Sequence, residues 1–407
     1  MMFTFHICNM INPYFCYAFS FLTAIVVYLL GWSTLYPRLS VVLFAFLFLT
    51  IIINALLGWR TAKSQNLKFR SITFSKRSYP FLITAFIYIL WALDFLYEGG
   101  IPLIKILFNQ PYNYRLFGIP SLHVFIVTFS SFFTILLFHA YLSNKQRHLL
   151  ILYFINLAAA VLIYSRAMFF FNLSGSFFLL LFWAKKPPAW LLCFLPIVLT
   201  GLFYCFGVLG TLRVSREAKV KYDNRLFLHS GKANDSFRES VIPKEFFWTY
   251  IYVSSPLANL QQNINTYEHQ PISLKKTLGL INNEVLMDFI SKRINGYIRV
   301  NREREHTIDG PFNVSTVYSR SFSYQGWLGM SIMFCVILVL PWIYVKLIPC
   351  DSAFFFSGFA ILCTVFLFLA YDNMIRFTGL SFQLVYPIIL YLVAEKLQLT
   401  KKFLMFT

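Results

Sequence analysis

Apolar runs of about twenty residues, the length needed to cross a hydrocarbon core of roughly 30 Å, recur along the chain with short polar breaks between them. The pattern predicts membrane helices near 14–36, 39–59, 79–97, 120–142, 149–165, 167–184, 189–210, 322–346, 352–371 and 377–394, about ten in all. The run from Leu149 to Trp183 is longer than the others, with thirty-five residues and a single charge, Arg166, near its centre. As one helix it would reach about 52 Å at 1.5 Å per residue, too far for one crossing. It is therefore expected to fold back at Ser165-Arg166, which places the guanidinium where two short spans meet, at one membrane face. MMFTFHICNMINPYF precedes the first span with no Lys or Arg and no small-residue cleavage site, so that span reads as a retained helix rather than a removed signal peptide.

One long stretch, 211–321, lacks such runs, and a loop of that length is usually functional or disordered. Its sequence points to order. VIPKEFFWTYIYVSSPLANLQQNINTYE crowds aromatic residues together, and Ser255-Pro256 reads as an N-cap and first helical position. After it, Leu274, Leu278, Ile281, Val285, Phe289 and Ile294 fall mostly at helical spacing opposite Asn282, Lys292 and Arg293, as in a helix that lies on a membrane or caps a cavity. The expected organisation is an all-α polytopic membrane protein. Residues 1–210 carry seven helices with a short external loop near 98–119, 211–321 form the large external loop, and 322–407 carry three more helices and a cytoplasmic tail.

Composition agrees with that class, since 58% hydrophobic, 20% aromatic and 13% charged residues fit no ordinary soluble protein. The formal charge of +19 suggests nucleic acid until its distribution is examined. One set of short connections carries fourteen Lys and Arg, among them Arg60, Lys63, Arg77, Arg147 and Lys346; the opposite set carries five, Arg38, Lys105, Arg115, Arg166 and Arg376. The positive-inside rule then places Gln65, Asn144 and both termini in the cytoplasm, with Arg166 and the 211–321 loop outside. The remaining sixteen basic residues lie in that loop beside eleven acids, so no nucleic-acid partner is indicated. The seven cysteines lie in or beside predicted helices and imply no disulfide framework, and neither a metal-ligand spacing nor a cofactor motif is present.

Candidate chemistry lies in the external parts. YEGGIPLIKILFNQPYNYRLFGIPSLHVF, from Tyr97, contains Glu98, Tyr112, Tyr114 and Arg115, and enters a helix through Pro120 with His123 one turn in. Rings that stack on sugar faces and arginine forks that match phosphate oxygens suit a sugar-phosphate ligand. The same residues suit an interfacial aromatic belt, and both readings stay open on chemistry alone. In AYDNMIRFTGLSFQ, Asp372 and Arg376 are four apart and are expected to pair on one helix face. In RVNREREHTIDGPFNVSTVYSR, Arg299, Arg302 and Arg304 alternate with Glu303, Glu305 and Asp309 and read as a solvated, self-paired surface. Arg320, by contrast, stands at the mouth of the next helix, near the expected phosphate depth. Arg166 has no acid in its own hairpin, the nearest in sequence being Glu98 and Glu217. It either snorkels as an anchor or holds an anion. The small residues Asn172, Ser174, Gly175 and Ser176 would let a helix or a lipid-linked substrate approach closely.

The combination of EGGIPL, YRLFGIPSLHV, an apolar run ending in SR, YIYVSSPLANLQ in a large loop and FNVSTVYSRSFSYQGWLG resembles the bacterial O-antigen polymerases, the repeat-unit polymerases of the Wzy-dependent pathway. The resemblance spans Tyr97 to Phe382. In the family a glycine is more usual where Ser121 stands. The resemblance implies a GT-C-like inner-membrane glycosyltransferase with a periplasmic active site. It would act on undecaprenyl-pyrophosphate-linked oligosaccharides without a metal or cofactor and work beside a chain-length regulator. It also implies roles: His123 or Glu98 as base, Arg166 on the donor pyrophosphate, and Tyr112, Tyr114, Arg115, Arg320 and Arg376 as substrate ligands. An O-antigen ligase shares donor, side and large loop. A flippase or transporter for the same lipid-linked sugars is disfavoured by the external loop, because its charges belong deeper in the bundle.

Overall fold

The computed structural model describes residues 10–64, 67–108, 110–112, 117–184, 189–217, 220–267, 272–298, 300, 302–396 and 404–406. Of the residues singled out above, Gln65, Tyr114, Arg115 and Arg299 lie outside these, as do the chain termini. The described chain is mostly helical. The first helix, α1 (Pro13–Leu29), begins where the sequence supplies two start signals, Pro13 at the first position and Asn12 Oδ1 accepting from Phe15 N at 3.1 Å. Asn12 Nδ2 also donates to Gly58 O at 3.1 Å, pinning α1 to α2 (Val41–Ser64). Then come α3 (Ser78–Tyr97), α4 (Leu122–Asn144), α5 (Arg147–Leu162), α6 (Arg166–Trp183) and α7 (Ala189–Glu217). The large loop contributes α8 (Phe246–Thr266), α9 (Leu274–Leu280) and α10 (Asp288–Ile298). The chain ends with α11 (Ser319–Leu347), α12 (Phe355–Leu367) and α13 (Thr378–Ala394).

Five of these, α2, α3, α4, α6 and α11, are long and apolar enough to cross a membrane. Their outward residues are large and apolar, Val41 and Leu56 on α2 or Leu82 and Ile89 on α3 for example, which is stable only against lipid. At the centre stands α12, buried on every face and packed against α1, α4, α6 and α13. The protein is therefore an all-α, membrane-embedded bundle. The Leu149–Trp183 run folds back where its length requires: α5 stops at Leu162, Tyr164 takes a left-handed φ of 56°, and Ser165 Oγ accepts from Met168 N at 3.3 Å to start α6. The small residues of α6 serve helix packing, because a Cβ on Gly175 would lie 2.7 Å from Ile135 Cδ1 of α4.

Three readings of the large loop are corrected by packing. Helix α7 runs past 210 to Glu217 because α8 crosses it tightly: a Cβ on Gly210 would meet the Trp248 ring at 2.6 Å, and Trp248 Nε1 donates to Thr211 Oγ1 at 3.0 Å. Ser255-Pro256 does not start a helix but lies inside α8. Phe247, Trp248, Tyr250 and Ile251 join Phe227, Phe237 and Trp32 in an aromatic cluster, and this burial carries the helix through a proline that forfeits one backbone bond. The third correction concerns the amphipathic stretch, which is divided into α9, a π-helical turn over Ile281–Val285 and α10. Its polar members Asn282, Asn283 and Glu284 are buried, while Leu274, Leu278 and Ile281 face outward.

Helix α8 is part of the bundle rather than a loose lid, packed on α1, α7 and α11. Two of its asparagines, one turn apart, organise the chain that follows. Asn259 Nδ2 donates to Phe312 O and Val314 O, each at 2.6 Å, and its Oδ1 accepts from Ile308 N at 2.8 Å. Asn263 Nδ2 donates to Ser319 O at 2.8 Å while its Oδ1 accepts from His306 N at 3.0 Å. These bonds tie an irregular backbone to α8, and they set the position of Glu305 and Arg320. At the other end of the bundle a small antiparallel pair, β1 (Ile72–Phe74) with β2 (Leu404–Phe406), is the only sheet among the described residues.

Candidate functional site

The end of the bundle that carries the large loop encloses a vault of ionisable side chains drawn from three distant stretches. Glu284, on the π-helical turn, is buried; its Oε1 lies 3.4 Å from Arg302 Nε and 3.9 Å from Arg376 Nη1. Asn373 Nδ2 donates to Glu284 O at 2.8 Å and to its Oε2 at 3.1 Å. Arg376 Nε is 3.6 Å from Asp288 Oδ1, and Asp288 N donates to Arg376 O at 2.9 Å. Beside them Arg320 Nη2 approaches Glu305 Oε2 at 3.1 Å. Glu284 Oε1 and Arg376 Nε and Nη1 complete no hydrogen bond among the described residues, so these close charges attract one another without being saturated.

Two pairings expected from spacing are thereby corrected. Asp372 and Arg376 do not pair, because they sit in the tight turn between α12 and α13 rather than on one helix face: Asp372 Oδ1 accepts from Asn373 N at 2.7 Å, and Asn373 Oδ1 accepts from Arg376 N at 3.3 Å. Nor does 302–305 pair with itself. Arg302 reaches back to Glu284, and the Glu305 side chain is only 10% exposed. Arg304 does remain exposed.

Burial dominates the electrostatics of the vault. Desolvation, with repulsion from Glu284 and Asp372 added and Arg302 opposing, pushes the Glu305 carboxyl up to about 8 despite its arginine partner. Desolvation likewise raises Glu284 and Asp288 against the pull of Arg302, and lifts Asp372 to about 6. A carboxyl raised on folding favours the fold in its protonated form. Its contribution is full below the unfolded value and is lost as pH rises through the folded one. The melting temperature of the solubilised protein is therefore expected to fall between about pH 5 and about pH 9, and Glu305→Gln should flatten that fall.

A second group forms where α3 and α4 begin to part. His123 Nδ1 lies 2.7 Å from Oδ2 of Asp94, which is fully buried, and Asp94 Oδ1 accepts from Ile119 N at 3.0 Å. Glu98 Oε1 accepts from Gly118 N at 2.8 Å. Trp91 and Phe117 stand edge-on to the imidazole with centroids at 5.8 and 5.4 Å. Gly118 is required here, with φ 94° and room for no Cβ, since one would lie 2.4 Å from the imidazole. Ser121 also holds a positive φ, 69°, the conformation that favours glycine, and its Oγ accepts from Arg293 Nη2 at 2.8 Å. Nδ1 faces Asp94, and Nε2 has no protein partner among the described residues.

The structure thus brings His123 together with Glu98, and Tyr112 closes on them through Phe117, its ring 5.8 Å away. Tyr112 Oη also donates to Ile163 O at 3.3 Å, which joins this group to the hairpin tip next to Arg166. Arg376 and Arg320 lie together in the vault. Arg166 is exposed at the first position of α6 and makes no ion pair or hydrogen bond among the described residues. His123 and the vault occupy different sides of α4: His123 faces α3, whereas Ser121 and Val124 face a cavity of about 330 Å³ shared with Asp288, Lys292, Arg293 and Thr378. Sequence reading missed Asp94, Glu284 and Asp288. Asp94 carries a signal, an acid inside an otherwise apolar span; Glu284 and Asp288 look like ordinary polar positions of an amphipathic helix.

The chain matches no protein-family model, no curated protein and no solved structure.

Proposed function

We propose that this chain is a polymerase of the O-antigen type, a glycosyltransferase of the bacterial inner membrane that joins lipid-pyrophosphate-linked oligosaccharides at the periplasmic face. The observation that carries the reading is the vault: Arg302, Arg320 and Arg376 converge beside buried carboxyls at the end of the bundle that the positive-inside count places outside. In the reaction the bond from the donor sugar's anomeric carbon to pyrophosphate oxygen breaks, a bond to the acceptor hydroxyl oxygen forms, and the hydroxyl proton passes to a base. Negative charge grows on the leaving pyrophosphate. Arginines fixed in a poorly solvated site stabilise that charge without reorganising, and the nearby Lys292 and Arg293 extend the positive field along the adjoining cavity.

Three candidate bases are available. Glu284 and Glu305 have affinities raised toward neutrality, which suits proton transfer at working pH. His123 turns Nδ1 to Asp94, an acceptor that favours the proton on that nitrogen, so that in the neutral ring Nε2 is the accepting atom. The substrate class comes from the motif resemblance and from the aromatic and arginine side chains of the external segments.

A deletion strain tests the reading. The lipopolysaccharide ladder should disappear while a core-plus-one-unit band persists. Loss of both bands would instead indicate a ligase or a flippase. In a complemented strain, His123→Ala and Asp94→Asn should each slow polymerisation by roughly a hundredfold at normal protein level, the usual size of a general-base effect. Unchanged polymer in both variants would leave the base to the vault carboxylates.

A further inference from the structure

At the opposite end of the bundle, a cavity of about 410 Å³ opens between β1, the start of α3 and the turn from α4 into α5. Arg77, Arg147 and His148 line it together with Thr73, Asn144 and Gln146. The segments that build it, 60–77 and 143–149, contain no Asp or Glu. Among the described residues neither Arg77 nor Arg147 forms an ion pair. Three lysines at this end lie over aromatic rings instead, Lys63 3.5 Å over Trp59, Lys145 3.6 Å over Trp183 and Lys346 3.7 Å over Trp342. Arg77 and Arg147 both face the cavity. His148, stacked on Phe81 with centroids 5.7 Å apart, is held at its wall.

Like charges gathered without a counter-charge repel, and an anion between them relieves that repulsion. Helices α3 and α5 both begin at this cavity, neither capped by a side chain, so their positive ends add to the same field. Guanidinium forks favour a tetrahedral oxyanion that accepts several hydrogen bonds. Below the cavity, α3 and α5 pack together and present exposed apolar residues, Phe81, Leu82 and Ile89 on one and Ile151, Phe154 and Ile155 on the other.

We propose that this cavity binds a phosphate group, that of an anionic phospholipid headgroup whose acyl chains lie along the outer faces of α3 and α5. The inference is independent of the polymerase reading. A soluble phosphate would share the headgroup chemistry but would not use the apolar track, and this difference makes the two sources separable.

The test uses the purified full chain in neutral detergent, with binding followed by native mass spectrometry and thermal unfolding. Phosphatidylglycerol should bind and raise the melting temperature, whereas phosphatidylcholine and millimolar inorganic phosphate should not. Arg77→Gln combined with Arg147→Gln should weaken phosphatidylglycerol binding at least about tenfold, a charge-assisted contact being worth about that much or more. Arg77→Lys combined with Arg147→Lys, which keeps the charge, should retain part of the binding and guards against misfolding of the glutamine pair. Equal binding by wild type and the glutamine variant overturns the site. Stabilisation by inorganic phosphate that equals that by phosphatidylglycerol overturns the lipid assignment.

Discussion

Arg376→Ala is expected to be the most damaging single substitution in the chain, abolishing polymer and lowering the melting temperature together. The residue is 6% exposed and stands between Glu284 and Asp288. Its removal leaves the buried Glu284 and the half-buried Asp288 beside each other without that cation, a change that costs about 3–5 kcal/mol where a buried pair is broken. Protonation softens the loss, because desolvation already biases both acids toward their neutral forms. The destabilisation should therefore be greater near pH 8 than near pH 5. Activity should behave differently. If Arg376 stabilises departing pyrophosphate, its loss slows transfer by roughly a hundredfold to a thousandfold at any pH. The double variant Glu284→Gln, Arg376→Gln separates the two effects, since it removes both charges and should recover most of the melting temperature while the ladder stays absent. A normal ladder in that double variant would make the vault a structural ion cluster and would remove the main support for the proposed chemistry.

Why the vault escapes a reading of the sequence is clear from its parts. Asn373 bonds to a carboxylate 89 positions earlier in the chain, so nothing in the local spacing of AYDNMIRF announces its partner. Local rules give the wrong partners instead: an i, i+4 pairing for Asp372 and Arg376, and alternation for Arg302 to Glu305. The fold-back at Ser165-Arg166 is legible because it follows from length alone, thirty-five apolar positions against the reach of one crossing. Helix α8 falls between these cases. Its aromatic positions signal order, but its true start at Phe246 depends on burial against Trp32 and Phe237, which no local rule weighs against Pro256. The group around His123 is half legible, for the glycine-proline entry to α4 is visible and Asp94, which orients the imidazole, lies 29 residues away.

Arg166→Ala should leave the protein folded and inserted at its normal level and yet eliminate most polymer. Nothing in the fold requires the guanidinium. The start of α6 is secured by Ser165, whose Oγ already accepts from Met168 N. A cation at the first position of a helix opposes the positive end of its dipole, an unfavourable contact of about 0.3–1 kcal/mol, so alanine there should hold or slightly raise the melting temperature. No acid among the described residues pairs with Arg166. An anchor at a membrane face needs only charge, which lysine supplies as well as arginine. A pyrophosphate ligand needs the planar fork. Arg166→Lys should therefore insert normally but lose most polymerisation, where an anchoring role predicts a full ladder. The position of the residue supports the ligand role: the tip of its hairpin is joined to the His123 group by Tyr112, and Phe171 of the same helix packs on Phe368 and Phe377, which flank the turn that carries Arg376. An arginine with no ion pair or hydrogen bond among the described residues, on a hairpin that touches both groups of candidate residues, can meet a phosphate delivered from the lipid. A wild-type ladder from Arg166→Ala at normal membrane level would reduce it to an anchor and leave pyrophosphate binding to the vault alone.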